Sequence, residues 1–195
     1  MHNPARTTDS VGEVNSDQPH AQQSNYQVRF DWGIDGANAI GVGADVIVVV
    51  DALEPTGAIQ AALAENGAEI ISASLRNRQA VAEWVLSRQG DKGERFMIAI
   101  VAAGDLWPSG QLRVAVEDLF AAGALIDALA DIGIDYCSPE AAAASAAFTG
   151  LSNATGHLIG ASAGGRDLTE RALRSEVDFA IDRDSSTEVT VSERR

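Results

Sequence analysis

Cysteine is almost missing from this chain. Cys137 is the only one, so a disulfide framework is excluded and a reducing compartment is the simple reading. Histidine is scarce too: His2 and His20 fall in a polar stretch, leaving only His157 in the folded part. A zinc site built on imidazoles, or a Ser-His-Asp arrangement, therefore lacks its parts. Positive charge is half as common as negative, with 14 Lys and Arg against 28 Asp and Glu, a formal net charge of −14. Such a surface repels nucleic acid and anionic lipid, and the basic residues are scattered rather than grouped. The same field repels an anionic substrate, so a phosphate site must bring its own metal or arginine. No apolar run reaches the ~18 residues a bilayer span needs. A basic segment followed by an apolar core is absent at the start, so a cytoplasmic protein without a signal peptide is expected.

What is present is a chain of 195 residues, long enough for one domain with a real core. Residues 1–25 are polar and lack large apolar side chains, so a disordered tail is expected there. A domain follows over 26–182, and 183–195 reads as a C-terminal edge strand and tail. Val28–Trp32 alternates like a strand, and Ile34–Gly43 reads as a short helix or loop. Val- and Ile-rich runs end at Asp51 and at Gly104-Asp105, and Glu69–Ala73 is a further strand. Helices are expected over Ala58–Asn66, closed by Gly67, over Asn77–Arg88, closed by Gly90, and over Leu112–Ile132. Ser138-Pro139-Glu140 starts another, with Ser as the cap and Pro first. Leu151–Ile159 and Leu168–Leu173 extend the helical part. Val177–Ile181 reads as a late strand and Glu188–Val191 as an edge strand. Strands alternating with helices predict a single-domain α/β fold: three layers, α/β/α, around a parallel or mixed sheet.

In such a sheet, ligands bind beyond the carboxyl ends of the strands. Asp51 and Asp105 fall there. Asp51 reads either as a magnesium ligand or base for a water, or as a turn-forming aspartate. Gly104 lets the backbone come close to a ligand, while Asp105 alone suits a turn. Arg113, ahead of the long apolar helix, can clamp a phosphoryl or sulfonate group, or pair with a nearby carboxylate. Glu117-Asp118 is the sharper signal. Two carboxylates among Val114, Val116, Leu119 and Phe120 are expensive to bury unless paired, hydrogen-bonded or bound to a cation. Adjacent helical residues point about 100° apart, so at most one of the pair is expected to face solvent. Alternatively, both sit at an exposed helix start and suit its dipole. Between a strand and a helix, Asn77 reads as an N-cap, and the amides there, with Arg76, form an alternative anion site.

Several of these runs together resemble one family. Ser74-Leu75-Arg76-Asn77-Arg78-Gln79-Ala80-Val81-Ala82, Ala102-Ala103-Gly104-Asp105 and the run Leu112 to Leu125 are similar to the 2-phosphosulfolactate phosphatases. Ser138-Pro139-Glu140-Ala141, Gly165-Arg166-Asp167-Leu168 and Asp178-Phe179-Ala180-Ile181-Asp182 continue the resemblance, which runs from about Val28 to Val191. It implies a three-layer α/β fold and a magnesium-dependent acid phosphatase that releases phosphate from 2-phosphosulfolactate, a step towards coenzyme M. The chain departs from the family after Asp51. Asp51-Ala52-Leu53 runs straight into Glu54-Pro55-Thr56-Gly57-Ala58, where the family has a Thr/Ser-rich loop and a long middle section.

Two expectations follow. The first is a metal-assisted phosphomonoester hydrolase for a small anionic hydroxy-acid phosphate. Asp51 and Asp118 act in catalysis, and Asp51, Glu117 and Asp118 hold Mg2+. Arg76, Asn77, Gly104 and Arg113 bind the substrate. The second is a shortened, catalytically silent homologue that serves as a ligand-binding or assembly module. A homo-oligomer fits either.

Overall fold

A computed structural model describes residues 19–53, 59–60, 63 and 68–192. Most of the expected disordered tail, the residues after Leu53 and much of the expected helix over Ala58–Asn66 lie outside the described residues. Within that helix Ile59, Gln60 and Leu63 are helical.

Four parallel strands form the centre: β1 (Val28–Trp32), β2 (Val46–Val50), β3 (Glu69–Ala73) and β4 (Ile98–Ala102). They lie in the order β1-β4-β2-β3, and the short β7 (Val191–Ser192) adds antiparallel to β3. β2 and β4 are buried along their whole length, which is why they read as unbroken apolar runs. Their side chains alternate between two layers. Ile47, Val49, Ala99 and Val101 face α1 (Gly33–Ile40) and Leu63. Val48, Val50, Ile100 and Ala102 face the larger core under α2 (Arg78–Lys92), α3 (Val116–Asp131) and α4 (Pro139–Gly150). Each fully buried Ile or Val there contributes about 1.5–3 kcal/mol. The chain then runs through α5 (Thr155–Ala161), α6 (Ala163–Glu170) and α7 (Arg174–Ala180). A two-stranded ribbon, β5 (Asp105–Leu106) with β6 (Leu112–Arg113), projects between β4 and α3. The fold is a mostly parallel α/β sheet with helices packed on it, as the sequence predicts.

Local signals explain most boundaries. Ser138 Oγ accepts the Ala141 N–H at 3.1 Å and Pro139 opens α4, as expected. α3 and α4 cross so closely that a side chain on Gly123 would strike the Ala144 carbonyl. Four expectations are corrected. Pro19–Gln22 forms a turn of 3-10 helix, and buried Gln23 bonds both the N–H and the carbonyl of Phe30, so residues within the expected tail pack on the domain. α2 runs on to Lys92 and ends on Gly93, which has the left-handed conformation at φ 73°, rather than closing at Gly90. Leu112 and Arg113 belong to the ribbon, so the long helix starts at Val116. Val177–Ala180 is helical, with Ile181 as its C-cap: Val177 and Ala180 share the buried side, the i, i+3 spacing of a helix, and Arg174 reaches Asp178 one turn on at 2.9 Å. Phe179, whose alternation with Val177 suggests a strand, is 59% exposed.

Candidate functional site

The register sets Val50 of β2 opposite Ala102 of β4. The Ala103 N–H reaches the Val50 carbonyl at 2.8 Å and is the last backbone bond of that ladder. Beyond it Ala52 and Gly104 carry backbone N–H groups with no strand partner. A crevice opens beyond these two exits, lined by Asp51 and Leu53 after β2 and by Gly104 and Asp105 after β4.

Asp118 fills the base of that crevice. Its Oδ1 accepts the Ala52 N–H and its Oδ2 accepts the Gly104 N–H, both at 2.9 Å. The start of α3 at Val116 puts Glu117 and Asp118 in the first turn, yet both are buried, at 4% and 2% exposure. The expectation that at most one would face solvent therefore resolves to neither, and an exposed helix start is ruled out. Burial and the neighbouring charge of Asp51 push Asp118 up to about 8, against the two N–H donors, which favour the charged form.

Glu117 Oε2 is buried and has no hydrogen-bond partner among the described residues; Glu69 Oε2 and Arg88 Nε share that state, but their groups are joined to each other in an ion pair at 2.6 Å. Asp51 accepts the Leu53 N–H at 3.0 Å, the bond of an aspartate turn, and also lines the crevice. The remaining wall comes from α6, through Gly164, Asp167 and Leu168. The crevice has a volume of about 60 Å3. A hollow of about 220 Å3 lies between the segment before β1 and the start of α4, but Glu140 is its only carboxylate. Chemistry, not size, singles out the crevice.

Gly104 lines it with φ 67°, and a side chain there would come within 2.8 Å of Leu112. Arg113 stands on the ribbon beside it, where its Nη2 and Nε donate to Asp105 Oδ2 at 2.6 and 3.2 Å. That pairing holds the Asp105 carboxyl below the usual carboxylate range.

Thus Asp51, Gly104, Glu117 and Asp118 come together, with Arg113 one ion pair away. Arg76 and Asn77 do not join them. Arg76 lies over the Phe179 ring at 3.4 Å and donates to Ser185 Oγ at 3.0 Å. Asn77 does not cap α2: its Oδ1 accepts the Ser74 N–H, and its Nδ2 donates to the Ser72 and Glu188 carbonyls. The anion position at the start of α2 is taken by Asp184, which accepts from Gln79 N–H at 3.3 Å and from Arg78 at 3.1 Å. Sequence reasoning missed Gly164 and Asp167 as site residues. The Gly165-Arg166-Asp167-Leu168 run includes Asp167, and no sequence signal points to Gly164.

Among the described residues no group of three His, Cys, Asp or Glu side chains is arranged to hold a metal ion. Among them, too, no helix is long and apolar enough to cross a membrane. The family model described as 2-phosphosulpholactate phosphatase matches residues 48–195. The chain belongs to that family, and the family supports a phosphatase function acting on a small phosphorylated substrate. No curated protein matches the chain.

Proposed function

We propose that this member of the 2-phosphosulpholactate phosphatase family hydrolyses the phosphate monoester of a small anionic hydroxy acid with the help of Mg2+. The observation that carries the reading is Glu117 Oε2, buried and unpartnered beside Asp51 and Asp118 at the strand ends. An orphaned carboxylate oxygen calls for a donor or a cation. Magnesium suits a set of one or two carboxylates, because it keeps several waters and takes substrate oxygens for the rest. Glu117 and Asp51 would hold it, and its charge would also relieve the repulsion between Asp51 and Asp118. Bound there, the ion supplies charge neutralisation for phosphoryl oxygens and an oriented water.

The chain's own residues do the remaining work. Asp118 is a positioning residue, since both its oxygens are occupied in fixing the Ala52 and Gly104 backbones. Gly104 keeps the rim free of a side chain. Arg113 would exchange Asp105 for the substrate's second anionic group, a carboxylate or sulfonate that its planar fork matches. Arg76 has no part in this reading, because it lies over the Phe179 ring, outside the crevice.

A second reading, a silent relative serving as a binding or assembly module, is favoured by the lack of a three-ligand metal group among the described residues. One experiment separates the two. An aryl phosphate and 2-phosphosulfolactate are assayed at mildly acid pH with and without magnesium. The enzyme reading expects magnesium-dependent phosphate release, lowered at least tenfold by Asp51→Asn and by Glu117→Gln, about 1.4 kcal/mol of transition-state stabilisation. No release of phosphate from either compound would sink it and leave the silent relative.

A further inference from the structure

We infer that the first turn of α6, through the backbone N–H groups of Ala163 and Gly164, seats the phosphoryl oxygens of the substrate. The inference rests on the phosphatase reading for the identity of the ligand, and adds a binding element drawn from the far wall of the crevice.

The argument begins with donors. Ser162 caps α6: its Oγ accepts the Gly165 N–H at 3.1 Å, and its carbonyl accepts the Arg166 N–H at 3.0 Å. The N–H groups of Ala163 and Gly164 have no acceptor inside the helix. Two such amides at the positive end of a helix dipole suit an oxyanion. Gly164 lines the crevice that holds Asp51, Glu117 and Asp118. A Cβ on Gly164 would stand 2.5 Å from Glu117 Oε1 and 3.1 Å from Leu53 Cδ1, so the turn lies hard against the carboxylate wall. Its placement is fixed from behind as well, since a side chain on Gly165 would strike the Ile159 carbonyl.

A helix start alone would not identify a ligand. Glu117 supplies the second observation, because its Oε2 is buried and unpartnered in the same crevice. Glu117 Oε1 is the oxygen that faces Gly164, while Oε2 takes no N–H from the turn. The wall therefore presents two opposite needs side by side: amides short of an acceptor, and a carboxylate oxygen short of a cation. An anion alone would meet the charges of Glu117, Asp51 and Asp167. A cation alone would leave the amides unserved. A phosphate group chelated to a divalent cation satisfies both.

Inorganic phosphate, the product of a monoesterase, is the probe. Its binding in the presence of magnesium is measured on the full chain by calorimetry and by the rise in melting temperature. Two variants test the turn. Gly164→Ala fills the space before Glu117. Ala163→Pro removes one N–H and adds a ring that the helix start accommodates: proline is favoured at the first helical position, and Ser162 at ψ 169° already has the backbone that a following proline requires. Gly164→Ala should weaken phosphate binding at least tenfold. Ala163→Pro should weaken it severalfold, with the melting temperature in the absence of phosphate unchanged. Unaltered phosphate affinity in Ala163→Pro would overturn the inference, as would a parent chain that binds no phosphate. The phosphatase reading fails separately: phosphate bound through α6 without hydrolysis of any monoester removes the enzyme and leaves the cradle. Hydrolysis with KM unchanged in both variants removes the cradle and leaves the enzyme.

Discussion

The exits of β3 and of the β2–β4 pair occupy equivalent places at the carboxyl edge of one sheet, yet they are finished differently. After β3, the chain occupies the exit with its own groups. Asn77 serves Ser72, Ser74 and Glu188, Asp184 sits on the start of α2, and the C-terminal segment ties on through Asp184 N–H to Leu75 and Ser186 N–H to Arg76. After β2 and β4 the closure is partial. Asp118 serves two backbone N–H groups, while the neighbouring Glu117 keeps a buried oxygen that nothing serves. Buried polar groups in folded proteins are paired almost without exception. A strand exit that its own chain completes reads as scaffold, and the exit left short of a partner is where the proposed ligand would bind.

The largest effect should come from breaking the one completed part of the crevice. Asp118→Ala leaves the N–H groups of Ala52 and Gly104 without acceptors in a buried place. At roughly 1–3 kcal/mol each, the loss should be about 2–6 kcal/mol in urea unfolding. Asp118→Asn, which can still accept at one oxygen, should lose about half as much. A loss below about 1 kcal/mol in Asp118→Ala would mean that water serves those amides and that Asp118 pins nothing.

A pH series sharpens the same point. Asp118 is raised in the folded chain, to about 8, by burial and by Asp51. Its proton is held in the folded state and released in the unfolded state once the pH passes the ordinary carboxylate value near 4. Stability in a chelator should therefore fall as the pH rises from about 4 to about 8, the reverse of an ion-paired aspartate. Asp118→Asn should flatten that slope, and so should saturating magnesium, which favours the ionised form. An equal slope in the parent with and without magnesium would mean that no cation approaches the pair.

How much of this was legible in the sequence follows from the range of each interaction. Asp51 and Gly104 declared themselves because a Val/Ile run ending on turn residues is a local pattern. Glu117-Asp118 did so because two adjacent acids among apolar side chains are costly wherever they are buried. The start of α3 was placed four residues early because Leu112 and Arg113 continue its apolar character, and only pairing with Asp105 and Leu106 makes them a strand. Asn77 predicts a cap for α2 by its position alone. Its true partners include Glu188, over a hundred residues away, which no local pattern encodes. Gly164 and Asp167 entered the crevice through the packing of α6, and a glycine wanted for close approach looks in sequence like a glycine wanted for a turn.

The smallest effect should come from the completed exit, and it tests the comparison from the other side. Asp184 has φ 55°, a backbone that asparagine also tolerates, so Asp184→Asn removes the charge without adding strain. The Arg78 guanidinium stays occupied, by the Ala124 carbonyl at 3.2 Å and by Asp127 at 3.6 Å. The C-terminal segment keeps its backbone bonds to Leu75 and Arg76. About a third of the Asp184 side chain is exposed, so solvent screens the pair. The expected loss is under about 1 kcal/mol, shrinking further in salt. Phosphate affinity should be unchanged, because the start of α2 is filled by the chain itself and is not a ligand site. If Asp184→Asn raised phosphate binding, the carboxylate would be a stand-in for phosphate at α2, and the β3 exit would be a site rather than scaffold.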